Sequence, residues 1–202
     1  WNYHNLNATP LTASALAGNA EIVNLLIHAG ANVSEADPRG ITPWVAAASG
    51  GHLEVCTILE NNGAEPDVQH AFVVAADRCR IDVLAALIQQ VAINATRPLD
   101  DTTVTAIEAA IIGGYSKLDG DDEEGGTDEE SIVAAVTYLL EQGVPVGTTG
   151  DDGNALIHKA TKSEQQQVVR VLAENGADVN SVNGEGETPL AIAVTCSTEM
   201  LL

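Results

Sequence analysis

Aromatic side chains are scarce in this chain. Phe, Trp and Tyr make up 3% of its 202 residues, although 45% are hydrophobic. A core organised around large rings is therefore excluded. Basic side chains are also few: eight Lys and Arg stand against 29 Asp and Glu, a formal net charge of −21. A field of that sign disfavours nucleic-acid phosphate and anionic membrane surfaces, and it favours a basic partner. No apolar run approaches the length of a membrane span, and no charged-then-apolar secretory leader is present. The three cysteines do not make a disulfide framework. Cys56 falls on an apolar helical stripe and is expected in the core. Cys79 and Cys196 fall at expected helix-turn positions, with no Cys or His at metal-ligand spacing.

What the chain does have is self-similarity. Thr9-Pro10-Leu11 is followed by Thr42-Pro43-Trp44, and 43 − 10 = 33. Thr188-Pro189-Leu190 stands near the other end, and Ala155-Leu156-Ile157-His158 lies 33 residues before it. In the same phase, Leu25-Leu26-Ile27-His28-Ala29-Gly30-Ala31-Asn32-Val33 matches Val171-Leu172-Ala173-Glu174-Asn175-Gly176-Ala177-Asp178-Val179. A fixed period of this size marks stacked repeats, which work as surfaces rather than as reaction chambers. Thr-Pro suits a helix start, because threonine caps free N–H groups and proline is tolerated in the first turn. Ala46, Ala47 and Ala48 permit close approach of a first helix. Leu53, Val55, Ile58 and Leu59 give the apolar stripe of a second. Gly63 and Gly176 sit where that second helix must stop, in positions expected to be left-handed.

The runs Gly40-Ile41-Thr42-Pro43-Trp44-Val45-Ala46-Ala47 and Gly186-Glu187-Thr188-Pro189-Leu190-Ala191 resemble the ankyrin repeat. So does Gly51-His52-Leu53-Glu54-Val55, running on to Gly63-Ala64. The resemblance covers nearly the whole chain. It implies an all-α solenoid of stacked helix-turn-helix units with protruding β-turn finger loops. Residues 1–202 are read as one domain, with units at approximately 4–36, 37–64, 65–99, 100–149, 150–182 and 183–202. Trp1 opens the chain without a methionine, and Leu202 falls partway through the expected second helix of the sixth unit. A segment of a longer protein is expected.

The units are unequal. The third has His70-Ala71-Phe72 in place of Thr-Pro. Only 28 residues separate Leu53 from Ile81, so the finger before this unit is expected to be about five residues short of the period. The fourth unit keeps Thr105-Ala106-Ile107, but its second helix begins late, which leaves an insertion over about 115–131. Within it, Asp119 to Glu130 holds eight acids in twelve residues and is expected to be a mobile, solvated spacer. Asp119, Asp121, Glu123 and Glu130 fall at the first, third, fifth and twelfth positions of a calcium loop. However, Glu124 stands where that loop needs glycine, and the flanks do not form the required helix pair.

No catalytic constellation is visible, so the chain is expected not to be an enzyme, with no cofactor and no metal. The resemblance gives His158 a structural role tying neighbouring loops, and His52 is read the same way. His28 suits a helix end. The glycine pairs lack the lysine or strand context of a phosphate loop. Trp44 replaces the motif leucine and is read as core rather than as an anchor. The resemblance implies a non-catalytic interaction module or scaffold that uses finger loops and the concave inner-helix face. Arg39, Ile41, Ser49 and Gly50 of the second unit are candidate contacts. Asp100, Asp101, Asp151, Asp152, Glu185 and Glu187 recur just before the first helices of units four to six and are the candidate acidic edge. The expected partner is a protein with a basic surface, within a larger complex, with neither nucleic acid nor membrane insertion involved. The expected location is intracellular, cytoplasmic or nuclear. Two alternatives are an acidic escort for a basic client such as a ribosomal protein or histone, and a regulatory segment of an enzyme or channel.

Overall fold

The computed structural model describes residues 8–94, 101–112, 129–150 and 152–199. Eleven helices follow one another through these residues: α1 (Pro10–Leu16), α2 (Ala20–His28), α3 (Pro43–Ser49), α4 (Leu53–Asn61), α5 (Val68–Asp77), α6 (Ile81–Asn94), α7 (Asp101–Ile112), α8 (Glu129–Glu141), α9 (Leu156–Lys162), α10 (Gln166–Glu174) and α11 (Pro189–Glu199). Among the described residues the only β pairing is an isolated bridge between Thr149 and Ala155. The odd-numbered helices pack side by side as an inner layer. The even-numbered ones form the outer layer, each against the inner helix it follows. This is the expected helical solenoid.

The threonine signals act as read. Thr9 Oγ1 accepts from Thr12 N at 3.1 Å, Thr42 Oγ1 from Val45 N at 3.2 Å, and Thr188 Oγ1 from Ala191 N at 3.3 Å. Each satisfies one of the free N–H groups that a helix start leaves over. Where the fifth unit has Ala155 instead, the ring of His158 takes over: its Nδ1 accepts from Ala155 N at 3.2 Å. That bond leaves the proton on Nε2, which donates to Ser181 O at 3.1 Å in the loop leading to the next unit. His158 is 1% exposed, so it ties neighbouring loops as expected.

Alanine makes the inner layer thin. All seven residues of α3, including Ala46, Ala47 and Ala48, are buried, as are Ala71, Ala75 and Ala76 of α5. Trp44 is buried too, with its indole N–H donating to Glu60 Oε1 at 2.8 Å, so it is a core residue. Cys56 is buried as expected, and desolvation followed by the charge of Glu60 pushes its thiol up to about 11. Gly63 and Gly176 have φ of +93° and +91°, the expected left-handed helix stops.

The third unit explains its own arithmetic. The caps Thr9 and Thr42 are 33 residues apart, but from Thr42 to the α5 cap Asp67 the distance is 67 − 42 = 25. The connection 62–67 is eight residues shorter than the fourteen-residue connections 29–42, 142–155 and 175–188. Helix α5 has ten residues against seven in α3, which restores three of the eight and leaves the five-residue shortfall seen in the sequence. No room for a finger remains before α5. Helix α7 likewise starts at Asp101, four residues ahead of Thr105.

Two expectations are corrected here. Helix α8 starts at Glu129, so the insertion read as 115–131 ends before that residue, and the proposed twelfth calcium-loop position, Glu130, is helical. The helical stripe simply extends one turn further back than its first apolar residues showed. The rest of the insertion lies outside the described residues. Cys196 lies within α11, which continues through Glu199 rather than turning at that position.

Candidate protein-interaction surface

Three fingers project where the fourteen-residue connections lie, and the same pair of backbone hydrogen bonds closes each tip. In the first, Asp37 N donates to Ile41 O at 2.9 Å and Gly40 N to Asp37 O at 2.9 Å. Asp37 Oδ1 also accepts from Arg39 N and Ile41 N, both at 2.9 Å. In the last finger Asn183 plays this part, accepting from Glu185 N at 3.0 Å and Glu187 N at 2.8 Å. The short side chain mimics a backbone turn and fixes the tip. In the finger between α8 and α9 the corresponding residue is Gly150, which has no such group. A Cβ there would lie 2.7 Å from Lys159 Nζ and 2.9 Å from Glu108 Oε1. The space is filled instead by an ion cluster, with Lys159 Nζ 3.1 Å from Glu108 Oε1 and 3.5 Å from Asp152 Oδ1.

Of the four candidate contacts of the second unit, two are buried and two are half-buried. Ile41 is 2% exposed and Ser49 is 1% exposed. Neither presents a side chain to a partner: Ile41 plugs the finger base, and Ser49 Oγ donates to Ala46 O at 3.1 Å inside its own helix. Gly50 is half-buried and offers its carbonyl to Arg80 at 3.4 Å. Arg39 lies on Asp37, with Nε 3.0 Å and Nη2 2.9 Å from Oδ2. Burial within a finger base leaves no mark in the local sequence.

The acidic edge is divided. Asp100 and Asp151 lie outside the described residues. Asp101 opens helix α7, and its side chain lies outside the described residues. Asp152, Glu185 and Glu187 are brought together on two touching fingers. Asn183 Nδ2 donates to Asn154 Oδ1 at 3.0 Å between them, and a Cβ on Gly153 would come within 2.8 Å of Gly184 N. Glu185 is exposed, and Glu187 is half-buried with Oε2 accepting from Asn183 at 3.4 Å. Hydrogen bonds from Asn154, then the charge of Lys159, hold the Asp152 carboxyl below the usual carboxylate range. Lys162 faces the same edge across a small cavity of about 230 Å³ that Glu185 and Glu187 line.

Lys159, Lys162 and Glu108 were not anticipated. Lys159 and Lys162 sit three apart on one face of α9, which was a readable signal, whereas Glu108, the nearer carboxylate to Lys159, comes from another unit.

Helix-to-helix turns add a second set of ties between units. His52 Nε2 donates to Leu16 O at 3.0 Å, Arg80 Nη2 to Gly50 O, and Gln165 Nε2 to Ile111 O at 2.8 Å. In each case the residue just before an outer helix reaches the end of the preceding inner helix. Glu129 Oε1 accepts from Gln167 N at 2.7 Å, joining α8 to the start of α10.

This ordered row of caps, turns and ties matches a known pattern. The family description "Ankyrin repeats (3 copies)" matches residues 2–70 and 129–202. The chain belongs to the ankyrin-repeat family. Ankyrin stacks are protein–protein interaction modules. Human ankyrin repeat and KH domain-containing protein 1 is 40% identical over 77 residues, 35% of this chain and 3% of that protein. The Arabidopsis thaliana potassium channel AKT2/3 is 26% identical over 189 residues, 91% of this chain and 21% of the channel. Mouse neurogenic locus notch homolog protein 2 is 27% identical over 168 residues, 83% of this chain and 6% of that protein. The chain thus spans a small part of each of these relatives. Among the described residues no helix is long and apolar enough to cross a membrane, and no group of three or more His, Cys, Asp or Glu is placed to hold a metal ion.

Proposed function

We propose that this ankyrin stack is an intracellular, non-catalytic module that binds a basic protein surface through its fingers and concave inner face. The charge supports this reading: 29 acids oppose eight bases, and Arg39, Arg80 and Lys159 already pair with carboxylates of this chain. Glu21, Glu35, Glu65, Asp67, Glu174, Asp178 and Glu185 are among the acids exposed to solvent, where only counter-ions or a cationic partner relieve their self-repulsion. Rigid presentation adds affinity, because fingers held by Asp37, Asn183 and the Lys159 cluster lose little entropy on binding.

The test is a titration of a protein captured from cell extract, using wild type and a variant with Asp152, Glu185 and Glu187 changed to amides. The variant should bind more weakly, mainly through slower association, and its salt dependence should be flatter. Equal affinities at low and high salt would refute the acidic edge. Net charge also favours a second reading, an escort that shields a basic client such as a ribosomal protein or histone. Such a client would be released steeply with ionic strength, whereas an apolar scaffold contact would persist. Similarity to a potassium channel across 91% of this chain supports a third, a regulatory segment of a larger protein.

A further inference from the structure

The six-residue connection before α5 leaves a gap in the row of fingers. Beside the finger 29–42, where a neighbouring finger would pack, there is a notch of about 600 Å³. Val33, Ser34 and Thr42 line one wall, and Glu65, Pro66 and Asp67 line the other. Trp44, although 4% exposed, has an edge against the notch lining. The notch lining contains two carboxylates and no basic residue. Glu65 and Asp67 are both exposed, and Asp67 is held in place because its Oδ1 caps α5 through His70 N at 3.0 Å. Pro66 between them fixes the local backbone.

We infer that this notch is a docking site for an arginine-bearing segment of a basic partner protein. Two properties of the notch select that occupant. Its volume admits a long side chain with part of its backbone, in the place a finger would otherwise occupy. Its two rim carboxylates match the planar donor fork of a guanidinium better than they match a point charge. A nucleic acid or an acidic peptide would meet like charge at both carboxylates. The inference rests on the proposed preference for basic partners and locates one contact of that preference.

The probe is a fluorescein-labelled nona-arginine peptide, followed by anisotropy and by the emission of Trp44 in a Trp1→Phe background, where Trp44 is the one remaining tryptophan. Glu65→Gln with Asp67→Asn removes two charges and keeps an efficient helix cap. Glu21→Gln with Glu174→Gln removes the same charge from exposed positions on α2 and α10. Far-UV circular dichroism checks that both variants fold. The notch pair should lose roughly fivefold in affinity and lose the Trp44 response, while the outer pair should change by less than about twofold. A nona-lysine peptide should bind more weakly than nona-arginine. Equal losses in the two pairs, or a silent Trp44 in the parent protein, would overturn the notch while leaving the acidic-surface reading standing. No salt-sensitive binding to the parent protein would overturn both.

Discussion

Gly18→Ala should cost far more than a change of one methyl group suggests, and the reason is a ring in the next unit. Gly18 has φ of +70° and Gly30, in the same unit, has φ of +91°. Alanine at either position meets the left-handed penalty of about 1–2 kcal/mol, reduced by its smaller unfolded-state entropy to a net of about 1 kcal/mol. For Gly30 nothing lies within 4 Å of the added Cβ, so the cost stops there. At Gly18 the Cβ would lie 2.4 Å from Nδ1 of His52 and 2.7 Å from its Cγ. The ring must move, and its bond to Leu16 O goes with it. The lost hydrogen bond and the overpacking add about 2 kcal/mol. For a chain of this size that difference lowers the melting temperature by about 4–8 °C more for Gly18→Ala than for Gly30→Ala. Urea denaturation followed at 222 nm measures both. A double-mutant cycle then isolates the cause: with His52→Ala in place, the two glycine substitutions should cost the same within about 0.5 kcal/mol. Equal costs in the parent protein, or an excess at Gly18 that survives His52→Ala, would refute the ring-contact argument.

At the same register of later units, Cys79 and Glu164 carry φ of +51° and +58°. Glu164→Gly should therefore stabilise by about 0.5 kcal/mol, the left-handed relief less the entropy of an unfolded glycine, readable as a higher urea midpoint. Lys159→Met should destabilise by about 2 kcal/mol, between the values for exposed and buried pairs, and adding Glu108→Gln should restore most of it. Deleting residues 119–128 should leave the thermal midpoint nearly unchanged. Glu129→Ala should lower stability by about 1 kcal/mol, because Glu129 accepts from Gln167 N. The carboxyls of Asp82 and Asp152 are held low by Arg80 and by Asn154 respectively. Their stabilisation is complete above the ordinary carboxylate range and is lost as pH falls through the lowered values. Asp152→Asn should thus flatten the acid limb of a stability–pH curve and leave its neutral plateau shape unchanged.

Features governed by a few neighbouring residues were legible in the sequence. Thr9, Thr42 and Thr188 cap the helices they announce, and Gly63 and Gly176 end theirs, because capping and handedness are local chemistry. Helix lengths in the third and fourth units were not legible. The sequence showed a five-residue deficit, but only packing decides that the loop loses eight residues and α5 gains three. The candidate site was legible in composition and not in placement. Asp152, Glu185 and Glu187 lie on two touching fingers, whereas Ile41 and Ser49 are buried. The pairing of Lys159 with Glu108 spans 51 positions and a unit boundary, and no pattern within one repeat encodes it.

The ties from His52, Arg80 and Gln165 each reach the unit just before their own. Under tension applied at the two ends, such links act in series, and every one carries the same load. The stack would then lengthen in steps rather than smoothly, one unit at a time. Each regular unit of 33 residues would release about 110 Å of contour as it opens. The 28-residue unit 37–64, shorter by five residues, would show as a smaller step, marking on a force trace the place where the next finger is missing.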